Sequence, residues 1–118
     1  MAQTPMILAA ADAKLSAANT DISITYAASV NRHYHQVHAI YAAYSDTLIG
    51  DYSGLVREVQ VLEGSNIVFR KTIAGVECDL VFAEPISTGA GKALTVKLTA
   101  GGEGIVGSLS VLHDTKRS

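Results

Sequence analysis

The chain has no tryptophan, a single cysteine, two prolines and two phenylalanines in 118 residues. Each shortage removes a class of explanation. One cysteine cannot close an intramolecular disulfide, so the fold must be held by packing and hydrogen bonds. Cys78 stands in VECDLVF between Glu77 and Asp79, whereas a reactive thiol needs a cationic neighbourhood. It reads as a small apolar side chain sharing a face with Val76, Leu80 and Phe82. Basic blocks are also missing. The nine Lys and Arg are scattered and the net charge is −2, which argues against a nucleic-acid partner.

Long apolar runs are absent too. The longest, PMILAAADA, is interrupted by Asp12 and no positive charge precedes it, so it fails as a membrane span and as a secretory signal. No membrane partner is expected, and synthesis and folding are expected in a cytoplasm. The chemistry-bearing motifs are missing as well: no G-x-S-x-G elbow, no phosphate loop, no dinucleotide fingerprint and no C-x-x-C. GAGK at 89–92 resembles the end of a phosphate loop, but it lacks the first glycine and has Ala93 where Ser or Thr belongs. Glu77 and Asp79 share a strand face, as surface charges commonly do. No catalytic residue, no metal and no cofactor is expected, and the protein reads as non-enzymatic.

What remains is strand pattern, with 48% hydrophobic residues. In GLVREVQVLEG, Leu55, Val59 and Val61 share one parity, and GSN at 64–66 supplies a turn. IVFRKTI is expected to set Ile67, Phe69 and Ile73 against Val68, Arg70 and Thr72. VECDLVF alternates cleanly, and Pro85 is expected to end its strand. ALTVKLT sends Leu94, Val96 and Leu98 inward. IVGSLSVLH does the same with Ile105, Leu109 and Val111, and Gly107 on that face suggests a bulge or a close approach. Upstream, DISITYA alternates Ile22, Ile24 and Tyr26 against Ser23 and Thr25. YHQVHAIYAAYS reads as a strand with Val37, Ala39 and Tyr41 on one face. These short strands with glycine turns predict an all-β antiparallel sandwich, jelly-roll-like, of about seven to eight strands. Residues 21–118 form the sandwich domain, and residues 1–20 an N-terminal arm or edge segment. Within that segment, Thr4 before Pro5 leaves a short helix open as the alternative.

Three of the four histidines, His33, His35 and His38, fall within six positions. In a regular strand His33 and His35 point one way and His38 the other. A zinc site would need a third ligand from elsewhere, with His113 a candidate. A pH switch would need burial and a partner. Polar positions on a strand that runs inward from a wet edge explain the run best. All five tyrosines lie in the first half of the chain. Ordinary core and rim packing is the commonest cause of such a set; beyond it they suggest a subunit interface or a sugar platform, and the lack of tryptophan favours the interface. The candidate interface residues are Pro5, Met6, Ile7 and Leu8 of the apolar N-terminal segment, with Tyr34, Tyr41, Tyr44 and Tyr52.

The stretch ALTVKLTAGGEGIVGSLSVLH, residues 93–113, resembles the C-terminal end of small β-sandwich virion structural proteins of tailed bacteriophages. The features are a strand, a glycine turn (Ala100, Gly101, Gly102, Gly104) and a closing Gly107, Leu109, Val111 strand. VQVLEGSNIVFRKTIAG resembles their hairpin, and VHAIYAAYS their early aromatic strand, though without the tryptophan expected there. The resemblance spans roughly residues 34–113 and implies a capsid decoration or cement protein. It would be a homo-oligomer, most simply a trimer, seated on the phage major capsid protein at the virion surface. The competing expectation is a glycan- or receptor-binding module of a tail or surface fibre.

Overall fold

The structure is a computed structural model that describes residues 10–28, 32–45, 57–73, 75–102 and 104–117. The strands are β1 (Ala10–Leu15), β2 (Ile22–Tyr26), β3 (His33–Tyr44), β4 (Glu58–Glu63), β5 (Asn66–Thr72), β6 (Glu77–Ser87), β7 (Leu94–Leu98) and β8 (Gly107–Arg117). They form two four-stranded antiparallel sheets, ordered β1-β8-β3-β6 and β2-β7-β4-β5. The chain is thus one long hairpin about the β4–β5 turn, rolled so that successive strand pairs fall in alternate sheets. This is the eight-stranded jelly roll. Gly64 adopts a φ of 61° in the β4–β5 turn, a conformation that costs glycine little.

Alternation builds the core. Val59 and Val61 of β4, Leu94, Val96 and Leu98 of β7, and Leu109 and Val111 of β8 are essentially fully buried between the sheets. Each such side chain stabilises the fold by about 1.5–3 kcal/mol relative to exposure. Cys78, Leu80 and Phe82 of β6 pack against this core, as their parity required. A β-carbon on Gly107 would lie 3.1 Å from Leu98 Cδ2, so its place in the pattern reflects close approach of the sheets.

Three local readings are corrected. First, β3 switches parity midway. Val37 pairs with His113, but Ala39 pairs with Leu112, which leaves His38 as an extra residue in a β-bulge. Before it, His35 and Val37 face inward. After it, Ile40, Ala42 and Tyr44 do, so Ala39 and Tyr41 lie on the outer face and not with Val37. Second, Pro85 does not end β6. Val37 pairs with Ile86 and Ala39 with Val81, so residues 82–85 loop out opposite His38. β6 is an edge strand, and a proline in an unpaired bulge removes no ladder bond. Third, Val61 pairs with Phe69 while Leu62 pairs with Ile67. The extra residue, Val68, moves Ile67 to the outer face, where it is 45% exposed, away from Phe69.

Residues 10–15 of the N-terminal segment form the edge strand β1, and not a helix. Pro5, Met6, Ile7 and Leu8 lie outside the described residues, as do Tyr52 and Leu55.

Candidate functional site

The jelly roll presents two outer faces of opposite character. On the second sheet, the central row runs Ser23, Lys97, Gln60, Arg70 across β2, β7, β4 and β5. Lys97 pairs with Asp21 at 3.3 Å and Arg70 with Glu58 at 3.4 Å. Thr25 and Thr95 share a hydrogen bond of 3.2 Å. This is a solvated surface.

The first sheet is different. Its register places Ala13, Ser110, Tyr41 and Asp79 in one outer row across β1, β8, β3 and β6. A second row is Leu15, Ser108, Ala43 and Glu77, and Leu112, Ala39 and Val81 align in a third. Between the β1 edge and β6 the three rows hold only small or apolar side chains and Tyr41. Leu15 is 73% exposed and Val81 78%. The charges sit at the β6 edge, where Glu77 Oε1 accepts a 2.6 Å hydrogen bond from Tyr41. That bond, above all, raises the Tyr41 hydroxyl above its ordinary pKa. Two shallow depressions open here. One, of about 120 Å³, lies beside Tyr41 over Ala39 and Ser110. The other, of about 220 Å³, lies between Leu15, Ala43, Val106 and Ser108.

The bulge divides the histidines. His38 faces outward with its Nε2 3.0 Å from Asp114 Oδ1. His35 points inward and is 5% exposed. Its Nε2 lies 2.8 Å from the Ala27 carbonyl oxygen and its Nδ1 2.9 Å from His113 Nε2. His113 stacks on Tyr26 with ring centroids 3.6 Å apart, and Tyr26 donates to Asp12 Oδ2 at 2.6 Å. Burial and His35 hold His113 below the ordinary histidine range, against the pull of Asp12 and Asp114. Burial first, then Asp12, pushes the Tyr26 hydroxyl far above its usual value. The inward histidine therefore pairs with His113 on β8, and no cluster of three or more metal-ligating side chains exists among the described residues.

Tyr44, expected at an interface, is core. It is 6% exposed, donates to the Thr99 carbonyl at 2.8 Å, and carries the Arg57 guanidinium 4.3 Å from its ring centroid. Burial explains both its exclusion from the surface and its raised hydroxyl pKa. Arg57, not singled out in the sequence, is buried and donates to the Gly101 and Gly75 carbonyls. Cys78 is half-buried, and desolvation raises its thiol pKa, in keeping with an unreactive side chain. Tyr34 pairs in register with Lys116 near the bulged end of β3. Tyr41 stands within the three apolar rows, while Tyr34 lies on the same outer face nearer the start of β3.

The chain matches no protein-family model and no curated protein. Among solved structures it is similar to the CBM36-1 domain of a multidomain xylanase from the hindgut metagenome of Trinervitermes trinervoides. The identity is 15% and the TM-score 0.43, over 90% of this chain and 77% of that one. FlhE is similar at 12% identity and TM-score 0.40, over 93% and 96%. Dimeric latent PorU from Porphyromonas gingivalis is similar at 10% identity and TM-score 0.39, over 90% of this chain and 13% of PorU.

Proposed function

We propose that the chain is a non-enzymatic structural protein of the capsid-decoration kind. It builds a closed homo-oligomer by packing the outer face of its first sheet against a second copy, and the oligomer seats on an assembled protein shell. The observation that carries this reading is the contrast between the outer faces. The central row of one is laced with ion pairs, and the rows of the other hold Ala13, Ala39, Ala43, Ser108, Ser110 and Leu112, with the His38–Asp114 ion pair beyond those rows. Small side chains let another sheet approach to the roughly 10 Å spacing of packed sheets.

The area is of the right order. Strands of 6, 11, 12 and 11 residues, at about 3.3 Å each and about 4.8 Å apart, give a four-stranded face of roughly 630 Å². A standard stable interface buries about 800 Å² on each partner. The shell as partner and the virion surface as location follow from the resemblance to phage decoration proteins, which also implies a three-fold ring; like-to-like packing of this face by itself makes a two-fold pair, so that ring needs a second contact. Two of the tyrosines lend no support to a glycan platform, because Tyr26 is covered by His113 and Tyr44 lies in the core.

Engineered cysteines test the face directly. Ser110→Cys places a thiol mid-face and Gln60→Cys places one on the opposite sheet, while native Cys78 faces the core. Mild oxidation is expected to cross-link two chains through position 110 and not through position 60. Equal cross-linking at both, or at neither, would overturn the reading.

A further inference from the structure

His35 and His113 lie 78 residues apart in sequence and meet inside the sandwich. Their hydrogen bonds fix where the protons are. The Ala27 carbonyl can only accept, so His35 Nε2 carries a hydrogen. One proton fits in the 2.9 Å between His35 Nδ1 and His113 Nε2. In the neutral pair, His113 donates from Nε2 to His35 Nδ1. An added proton is accommodated on the far nitrogen of His113, or on His35 Nδ1 with the roles reversed. Both bonds survive either way. A further proton sets N–H against N–H, between two cations whose ring centroids are 5.0 Å apart.

We propose that His35 and His113 form an acid-opened latch between the two sheets, closed with two or three ring protons and opened by the fourth. The latch joins distinct layers. His35 and His113 belong to β3 and β8 of the first sheet, whereas Ala27 directly follows β2 of the second. Tyr26, stacked on His113, also holds Asp12 of the edge strand β1. The cationic His35 still donates to Ala27, so the repulsion acts by displacing a ring: moving His35 breaks the Ala27 bond, moving His113 breaks its stack on Tyr26, and either loosens the end of β2.

The charged and titratable groups that bear on His113 come from each packed element. Asp12 on β1 and Asp114 on β8 favour its protonation, while His35 and His38 on β3 oppose it, and Tyr26 of β2 covers its ring. Burial is the largest influence and also opposes it. Two carboxylates ease the first proton into the pair, and mutual repulsion delays the second. The opening is thus a late, acid event and not a gradual one.

The test uses the full chain. Ring proton resonances of the four histidines are followed by NMR against pH, together with amide exchange corrected for its intrinsic pH dependence. The His113 ring is expected to respond to pH in two steps separated by more than about one unit, a tenfold difference in proton affinity, because it feels the charge on its partner. The second step should coincide with a rise of about tenfold or more in exchange at Ile24 and Tyr26, with Val59 and Val61 unchanged. His113→Gln keeps a donor for His35 and cannot titrate, so it should abolish the rise. A single His113 step near the ordinary histidine value would overturn the latch. So would exchange that does not follow the second step. If His113→Gln fails to fold, the measurements on the native chain still decide.

Discussion

A β-carbon on Gly101 would lie 2.5 Å from Cδ1 of Tyr44 and 2.8 Å from Cγ2 of Ile105. The tyrosine cannot give way, because its hydroxyl is bound to Thr99 and its ring is covered by Arg57. Gly101→Ala should therefore destabilise the fold by about 1–3 kcal/mol through overpacking. Tyr44→Phe removes only the hydrogen bond and should cost about 1 kcal/mol. Urea unfolding of the two variants is expected to rank them in that order.

Arg57 ties two loops together through the carbonyls of Gly75 and Gly101. A methionine of similar length would leave the buried Gly101 carbonyl and the part-buried Gly75 carbonyl without this donor. Arg57→Met is expected to cost about 2–4 kcal/mol, and Arg57→Lys should recover only part of it, since one ammonium cannot reproduce the fork. Chemical denaturation checks both.

His38 matters as a residue count more than as a side chain. Its pairing with Asp114 involves groups whose side chains are 31% and 21% exposed. His38→Ala should therefore cost below about 1 kcal/mol. Deleting His38 removes the parity switch, so either Val37 and His35 or Ile40, Ala42 and Tyr44 must turn to solvent. The deletion is expected to abolish cooperative thermal unfolding by circular dichroism, while the alanine variant retains it.

Stability should fall at both ends of the pH scale, for opposite reasons. His113 has a lowered pKa in the fold, so below about pH 6.5 the unfolded chain binds the proton first and stability declines as pH drops. Tyr26 has a raised pKa, so its contribution is complete below about pH 10 and is lost as pH rises beyond that value. Melting temperatures across the range should show both limbs. Tyr26→Phe should flatten the alkaline one, and His113→Gln the acid one.

Much of the architecture was legible because alternation is a local signal. Leu94, Val96 and Leu98, or Val76, Cys78, Leu80 and Phe82, declare a buried face within a few residues. The bulges were not legible. Nothing in RHYHQVHAIY marks His38 as the extra residue, since the bulge arises from the mismatch among β3, β6 and β8. Regular parity therefore put Ala39 and Tyr41 on the face of Val37 and Tyr44 on the other. The His35–His113 pair was equally hidden, because it depends on the register of strands far apart in sequence. Pro85 misled for the same reason: its meaning depended on β6 being an edge strand with a bulge.

Self-association through the apolar outer face of the first sheet is decided by absolute mass in solution. Light scattering after gel filtration, on the native chain and on the Ala43→Glu variant, measures it. The native particle is expected to be a whole-number multiple, greater than one, of the 12.4 kDa chain. The Ala43→Glu variant, which sets a carboxylate in the row of Leu15 and Ser108, is expected to be a monomer with its fold intact by circular dichroism. A native monomer, or an oligomer of unchanged mass in the variant, would refute association through this face.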